Sequence, residues 1–213
     1  MTEQSIDLKQ LERKVWTSFF EDGIWDICLG LWLMAMAVGS LLTDSGVPEA
    51  TQIIVYISLI TAACLFLLLG KRFITVPLIG RVTFRAKGKT RIKKTIVLLA
   101  VSALVGLIAF SAVAFSARGY ISRALPMDIF VPAIWVGNML IVFSLAAYVL
   151  HYKRLYLIGV MFAIGIPLDI ILREVTHQDL TFIAFGLPAM VILTMGAIVL
   201  IRFLRKYPRL EKE

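Results

Sequence analysis

Six apolar stretches, each long enough to cross a lipid bilayer, dominate this chain of 213 residues. They lie at about 24–42, 50–70, 95–117, 129–150, 155–172 and 180–204, the fifth being the shortest. A helix needs about 20 mostly apolar residues to traverse about 30 Å of hydrocarbon. Backbone N–H and C=O groups find no water in lipid, so only helices or closed barrels span it. The stretches lack the alternation of barrel strands. The expected fold is all-α, a six-transmembrane-helix bundle. Composition agrees, with 60% apolar and only 17% charged residues. A soluble domain carries roughly 45–50% and about 25%. No intervening segment is long enough for a second globular domain. The chain divides into a lead-in 1–23, a transmembrane domain 24–204 and a tail 205–213.

The cations sort by side. Nineteen of the 22 Lys and Arg residues fall in the N-terminal segment, the loop 71–94, positions 153–154 and the stretch from Arg202 through the tail. Only Arg118, Arg123 and Arg173 fall on the other side. Lys and Arg concentrate in cytoplasmic loops, so both termini are expected in the cytoplasm. The net charge of +8 then reflects topology and does not point to nucleic acid. The first 23 residues carry mixed charge and do not read as a cleavable signal. Cys28 and Cys64 fall near the cytoplasmic ends of helices 1 and 2, with no C-x-x-C, and read as reduced packing thiols.

Two flanking segments carry patterns of their own. Over 5–20, Leu8, Leu11, Val15 and Phe19 recur at helical spacing beside Trp16, with Lys9, Glu12 and Arg13 elsewhere on the wheel. That predicts an amphipathic helix lying in the membrane interface. Between helices 2 and 3, Val82 and Phe84 alternate with Arg81, Thr83 and Arg85, and Pro77 and Gly80 supply turn residues. This predicts a short basic β-hairpin on the cytoplasmic face, followed by a loose run from Ala86 to Lys94. Nine cations lie here: Lys71, Arg72, Arg81, Arg85, Lys87, Lys89, Arg91, Lys93 and Lys94. Each is worth about 1 kcal/mol near an anionic surface. They form a topological anchor or, more specifically, a contact for anionic lipid headgroups.

The runs F-E-D-G-I-W-D-I-C-L-G at 20–30 and T-V-P-L-I-G-R-V-T-F at 75–84 resemble a group of prokaryotic integral membrane proteins. These share F-x-D-G-[LI]-W-[DE] leading into helix 1 and P-x-x-G-x-V-x-F in a loop. The resemblance covers about a quarter of the chain. It implies a prokaryotic inner membrane and no particular activity.

Ionisable residues inside a span are functional candidates by default. Asp26 falls in the first turn of helix 1, where the helix dipole favours a carboxylate. With Glu21 and Asp22 it forms an acidic cluster, either a structural cap or a seat for a cation or a partner's arginine. Asp169 stands four residues before Arg173, the spacing of a helical ion pair. Asn138 falls near the middle of helix 4, where such a side chain joins helices or lines a pathway. Helix 5 reads F-A-I-G-I-P and helix 6 I-A-F-G-L-P, so Gly165/Pro167 and Gly186/Pro188 fall at similar depth. Proline bends both helices, and paired interruptions of this kind mark transporter sites. Ser102, Gly106, Ala109, Ala112 and Ser116 make a small-residue stripe on helix 3, which reads as a central or oligomer-facing helix.

Motifs that name a reaction are missing: there is no G-x-x-x-x-G-K-[ST], H-E-x-x-H or G-x-S-x-G. His151 and His177 fall on opposite membrane faces, so no metal site is expected, nor any cofactor. The first expectation is a non-catalytic accessory or lipid-interacting subunit. A small transporter or channel at the bends of helices 5 and 6 is the second. An enzyme acting on lipid through Glu21, Asp22 and Asp26 is the third.

Overall fold

The computed structural model describes Phe20 and residues 22–79, 86–117 and 127–206. Six long helices account for most of them: α1 (Ile24–Asp44), α2 (Glu49–Gly70), α3 (Ala86–Ala117), α4 (Met127–Leu150), α5 (Arg154–Thr176) and α6 (Thr181–Lys206). No strand forms among the described residues. Five of the helices, α3 excepted, are long and apolar enough over their described residues to cross a membrane. The sixth, α3, contains the apolar stretch 95–117 within its 32 residues. The stretch at 155–172, the shortest in sequence, lies within a 23-residue helix. The protein is a helical membrane protein.

Tight turns separate α1 from α2, α4 from α5 and α5 from α6. α1 stops at Gly46, whose φ of +68° only glycine adopts freely. Its amide reaches the Thr43 carbonyl at 3.1 Å, and the Val47 amide reaches Leu42 at 3.3 Å. α4 and α5 are joined by only three residues, with His151 at φ +56°. α5 ends at His177, φ +54°, whose amide bonds the Arg173 carbonyl.

In space the helices form a row, α2–α1–α6–α5–α4–α3. The middle of this row is the core. Leu33 and Ala37 of α1, Ile158 and Phe162 of α5, and Ala184, Phe185, Ala189 and Ile192 of α6 pack together there. Glycines let α1 and α6 touch backbone to backbone. A Cβ added at Gly196 would lie 2.9 Å from the Ile27 amide nitrogen, and one at Gly23 would lie 2.5 Å from the Gly196 carbonyl oxygen. The two helices at the ends of the row turn large apolar side chains outward. Ile54, Ile57 and Leu68 of α2 and Ile96, Val97, Leu107 and Ile108 of α3 are all exposed. In water such surfaces mark aggregation or docking; here they are what hydrocarbon requires.

Three expectations are corrected. No hairpin begins after helix 2. The chain continues from α2 through a wide π-helical turn, Lys71–Thr75, into one more α turn, Val76–Ile79. The wide turn ends two residues before Pro77, whose ring would clash with the Phe73 carbonyl in a regular helix. The remainder of the expected hairpin, 80–85, lies outside the described residues. The run Ala86–Lys94 is not loose but opens α3, because Lys and Arg are good helix formers. Helix α3 is not central: among the long helices it packs against α4, and Gly106 in its small-residue stripe faces open space. The amphipathic helix expected at 5–20 falls almost wholly outside the described residues.

Candidate functional site

At the end of the bundle where α1 and α5 begin, four charged side chains meet. The chain enters α1 through Gly23, whose φ of +76° and contact with α6 both require glycine. This tight entrance turns Asp22 and Asp26 into the protein, and both are 0% exposed. Asp22 is saturated. Its Oδ2 accepts from Lys71 Nζ and from Thr75 Oγ1, each at 2.5 Å, and its Oδ1 accepts from the Ile24 amide at 3.2 Å. Lys71 and Thr75 stand four residues apart across the wide turn, so both reach the same carboxylate. Asp26 faces Arg154, the first residue of α5, with Arg154 Nη1 3.2 Å from its Oδ2. This is ion-pair distance without hydrogen-bond alignment, and neither Asp26 oxygen has a hydrogen-bond partner among the described residues. The aligned bond of Arg154 goes elsewhere: Nη2 donates to the Phe20 carbonyl at 2.8 Å. Its guanidinium also lies over the Tyr152 ring, 5.2 Å from the centroid.

The result is a clasp of two acids and two bases, joining the lead-in and α1 to the end of α2 and the start of α5. The charges balance within the clasp, and its neighbours offset part of the desolvation that each group suffers. Much of the run F-E-D-G-I-W-D takes part. Phe20 supplies a carbonyl and a ring, Asp22 and Asp26 the carboxylates, and Gly23 the turn. The Trp25 ring stacks on Phe20 at 6.4 Å. Of the expected acidic cluster, Glu21 lies outside the described residues. The arginine facing Asp26 belongs to this chain.

The nine expected lipid-contact cations separate accordingly. Lys71 points inward, its side chain only 12% exposed, and is engaged by Asp22. Arg72 is exposed, with its guanidinium 5.9 Å from the Phe73 ring centroid. Lys93 and Lys94 are exposed on α3, while Lys87, Lys89 and Arg91 lie on its first turns. Arg81 and Arg85 lie outside the described residues.

The opposite end of the bundle holds a second polar group. Arg173 Nε lies 3.1 Å from Asp169 Oδ2, and its Nη2 lies 3.1 Å from Asp179 Oδ2. Nη2 also donates to Thr181 Oγ1 at 2.7 Å. The Thr181 hydroxyl stands 2.6 Å from both Asp169 Oδ1 and Asp179 Oδ1, so its single hydrogen is shared between them. These contacts fasten the turn between α5 and α6. Asp179, in that turn, is held below the usual carboxylate range, first by the Thr181 hydroxyl and then by the Thr181 amide and Arg173. A carboxylate lowered by folding contributes stability above its unfolded pKa and loses it as pH falls through the folded value. We therefore expect the 177–180 turn to loosen below the ordinary aspartate range, seen as faster amide hydrogen exchange there. Asp179→Asn should abolish that pH dependence.

Within the bundle, Asn138 Oδ1 accepts from Ser102 Oγ at 3.2 Å, which joins α4 to α3. The Gly/Pro interruptions of α5 and α6 meet directly. A Cβ at Gly165 would lie 2.4 Å from the Phe185 ring, so that ring covers the Gly165 backbone. Pro167 is partly buried, while Gly186 packs near Ala37 and Pro188 is buried. Pro167 leaves the Ala163 carbonyl without a helical donor. The adjacent Phe162 carbonyl accepts from the Trp135 indole at 2.9 Å. Trp135 also meets Phe185 edge to face at 6.5 Å. Sequence reading missed Trp135, Thr75 and Arg154. Arg154 and Lys71 carry no local mark among so many cations, and Trp135 reads as one more apolar residue. Comparison with protein-family models, curated proteins and solved structures finds no match for this chain.

Proposed function

We propose that this protein is a non-catalytic accessory subunit of a prokaryotic inner membrane, with both termini in the cytoplasm, acting through lipid headgroups and helix partners. One observation carries the reading: the charges at the basic end neutralise one another inside the clasp, while the helices at both ends of the row present bare apolar flanks. What remains for contact is lateral apolar surface, edged by the exposed cations Arg72, Lys93, Lys94 and Lys153. The bends of α5 and α6 support a transporter less, because the Phe185 ring covers the Gly165 backbone and the Trp135 indole takes the neighbouring Phe162 carbonyl. An enzyme at the acidic residues is supported less as well, since Asp22 is saturated by its own chain.

Native mass spectrometry from mild detergent tests the proposal. Anionic phospholipid or a partner protein should remain bound. Each of Arg72→Gln, Lys93→Gln and Lys94→Gln should lower anionic lipid retention by up to about fivefold, the equivalent of about 1 kcal/mol per cation. A monomeric particle free of lipid would count against this function.

A further inference from the structure

The clasp and the residues around it hold buried polar atoms that the described residues leave without a hydrogen bond. Both carboxyl oxygens of Asp26, the Trp25 indole nitrogen and the Tyr152 hydroxyl are buried without a hydrogen-bond partner among the described residues. They belong to one contiguous set. The Phe20 ring lies 6.4 Å from that of Trp25 and 5.7 Å from that of Tyr152. Arg154 bonds the Phe20 carbonyl, covers the Tyr152 ring and stands beside Asp26. Asp26 is 0% and Tyr152 6% exposed, so water outside the protein does not satisfy them. Native proteins leave few buried polar groups unpaired, and each one calls for an explanation.

The two aspartates of the clasp differ in one respect. Asp22 receives three aligned donors, one of them an ammonium, whereas Asp26 receives none. Burying an ionised carboxylate without hydrogen bonds is far more costly than burying the neutral acid. Two carboxyl groups in contrasting surroundings take contrasting protonation roles. The charges facing Asp26 are Arg154 from the start of α5, Asp22 from the lead-in and Lys71 from the end of α2. From α6 it is met by Gly196, which carries no charge. Lys71 is engaged by Asp22, so Arg154 is the near counter-charge, and the aligned bond of Arg154 goes to Phe20.

We propose that Asp26 is a proton-binding site. Its carboxylate takes one proton from water at the basic end, forming an O–H bond and a neutral acid, and returns that proton when the medium becomes more alkaline. The proton passes alongside the Arg154 side chain, which stays charged and is 25% exposed while Asp26 behind it is not exposed at all. Uptake removes the carboxylate half of the Asp26–Arg154 pair. Arg154 then holds the start of α1 through the Phe20 carbonyl and the Tyr152 ring. The site reports pH to the joint between α1 and α5.

Infrared difference spectroscopy of the full-length protein in liposomes, stepped from mildly alkaline to mildly acidic pH, tests this. A protonated-carboxyl band should grow on acidification. It should persist in Asp169→Asn, disappear in Asp26→Asn and move in frequency in Asp26→Glu. A wild-type protein with no titrating carboxyl band overturns the proposal, and so does a band unmoved by Asp26→Glu. Where Asp26→Asn does not assemble, the glutamate variant decides alone.

Discussion

Gly23→Val should destabilise the protein by about 2–5 kcal/mol, among the largest effects expected of any single substitution here. Two costs combine. A branched residue at φ +76° pays about 1–2 kcal/mol for the left-handed backbone. The added carbon also lies 2.5 Å from the Gly196 carbonyl oxygen and 2.9 Å from the Leu200 amide nitrogen, so α6 must move away. Overpacking of this kind costs about 1–3 kcal/mol. Gly46→Val separates the two, because Gly46 has a similar φ of +68° but open space around it. It should lose only the backbone share. The buried Cys28 thiol is a convenient reporter in a Cys64→Ser background, since it reacts with a thiol reagent only once the bundle opens. Equal losses in the two variants would show that the α1–α6 contact is not close.

Asp22→Leu should cost about 3–5 kcal/mol, because it strands the Lys71 ammonium without its carboxylate. The companion double variant, Asp22→Leu with Lys71→Met, removes both charges and should recover most of that loss. Replacing a whole buried pair with apolar groups is often close to neutral. The same thiol assay measures all three proteins. A double variant as unstable as Asp22→Leu alone would mean that Thr75 and the Ile24 amide, rather than the ion pair, are what Asp22 holds. In that case Asp22→Asn, which still accepts a hydrogen bond, should be the milder change.

The spans were legible because a bilayer imposes length and apolarity on contiguous residues, and contiguity is what a sequence displays. Pro167 and Pro188 were legible as interruptions for the same reason. That Phe185 covers Gly165 was not, because it depends on how α5 and α6 meet. The clasp was half legible. Asp22 and Asp26 stand out as acids at the start of an apolar helix. Their counter-charges sit 49 and 128 positions away, at Lys71 and Arg154, within a crowd of similar cations. The turn residue Pro77 suggested the start of a hairpin, but Lys71–Ile79 stays helical, and this sets Lys71 and Thr75 on one face towards Asp22. Ser102 read as a small residue for close packing, yet its hydroxyl is what binds Asn138.

The placement of α1 between α2 and α6 sets an order for biogenesis. Asp22 can meet Lys71 as soon as the second span has left the ribosome. Arg154 arrives only after two further spans, and the Gly196 surface that seats Gly23 and Ile27 is translated later still. Until then the translocon or a chaperone must shelter the bare side of α1. An arrest between the fifth and sixth spans should leave a nascent chain that quality-control proteases can recognise.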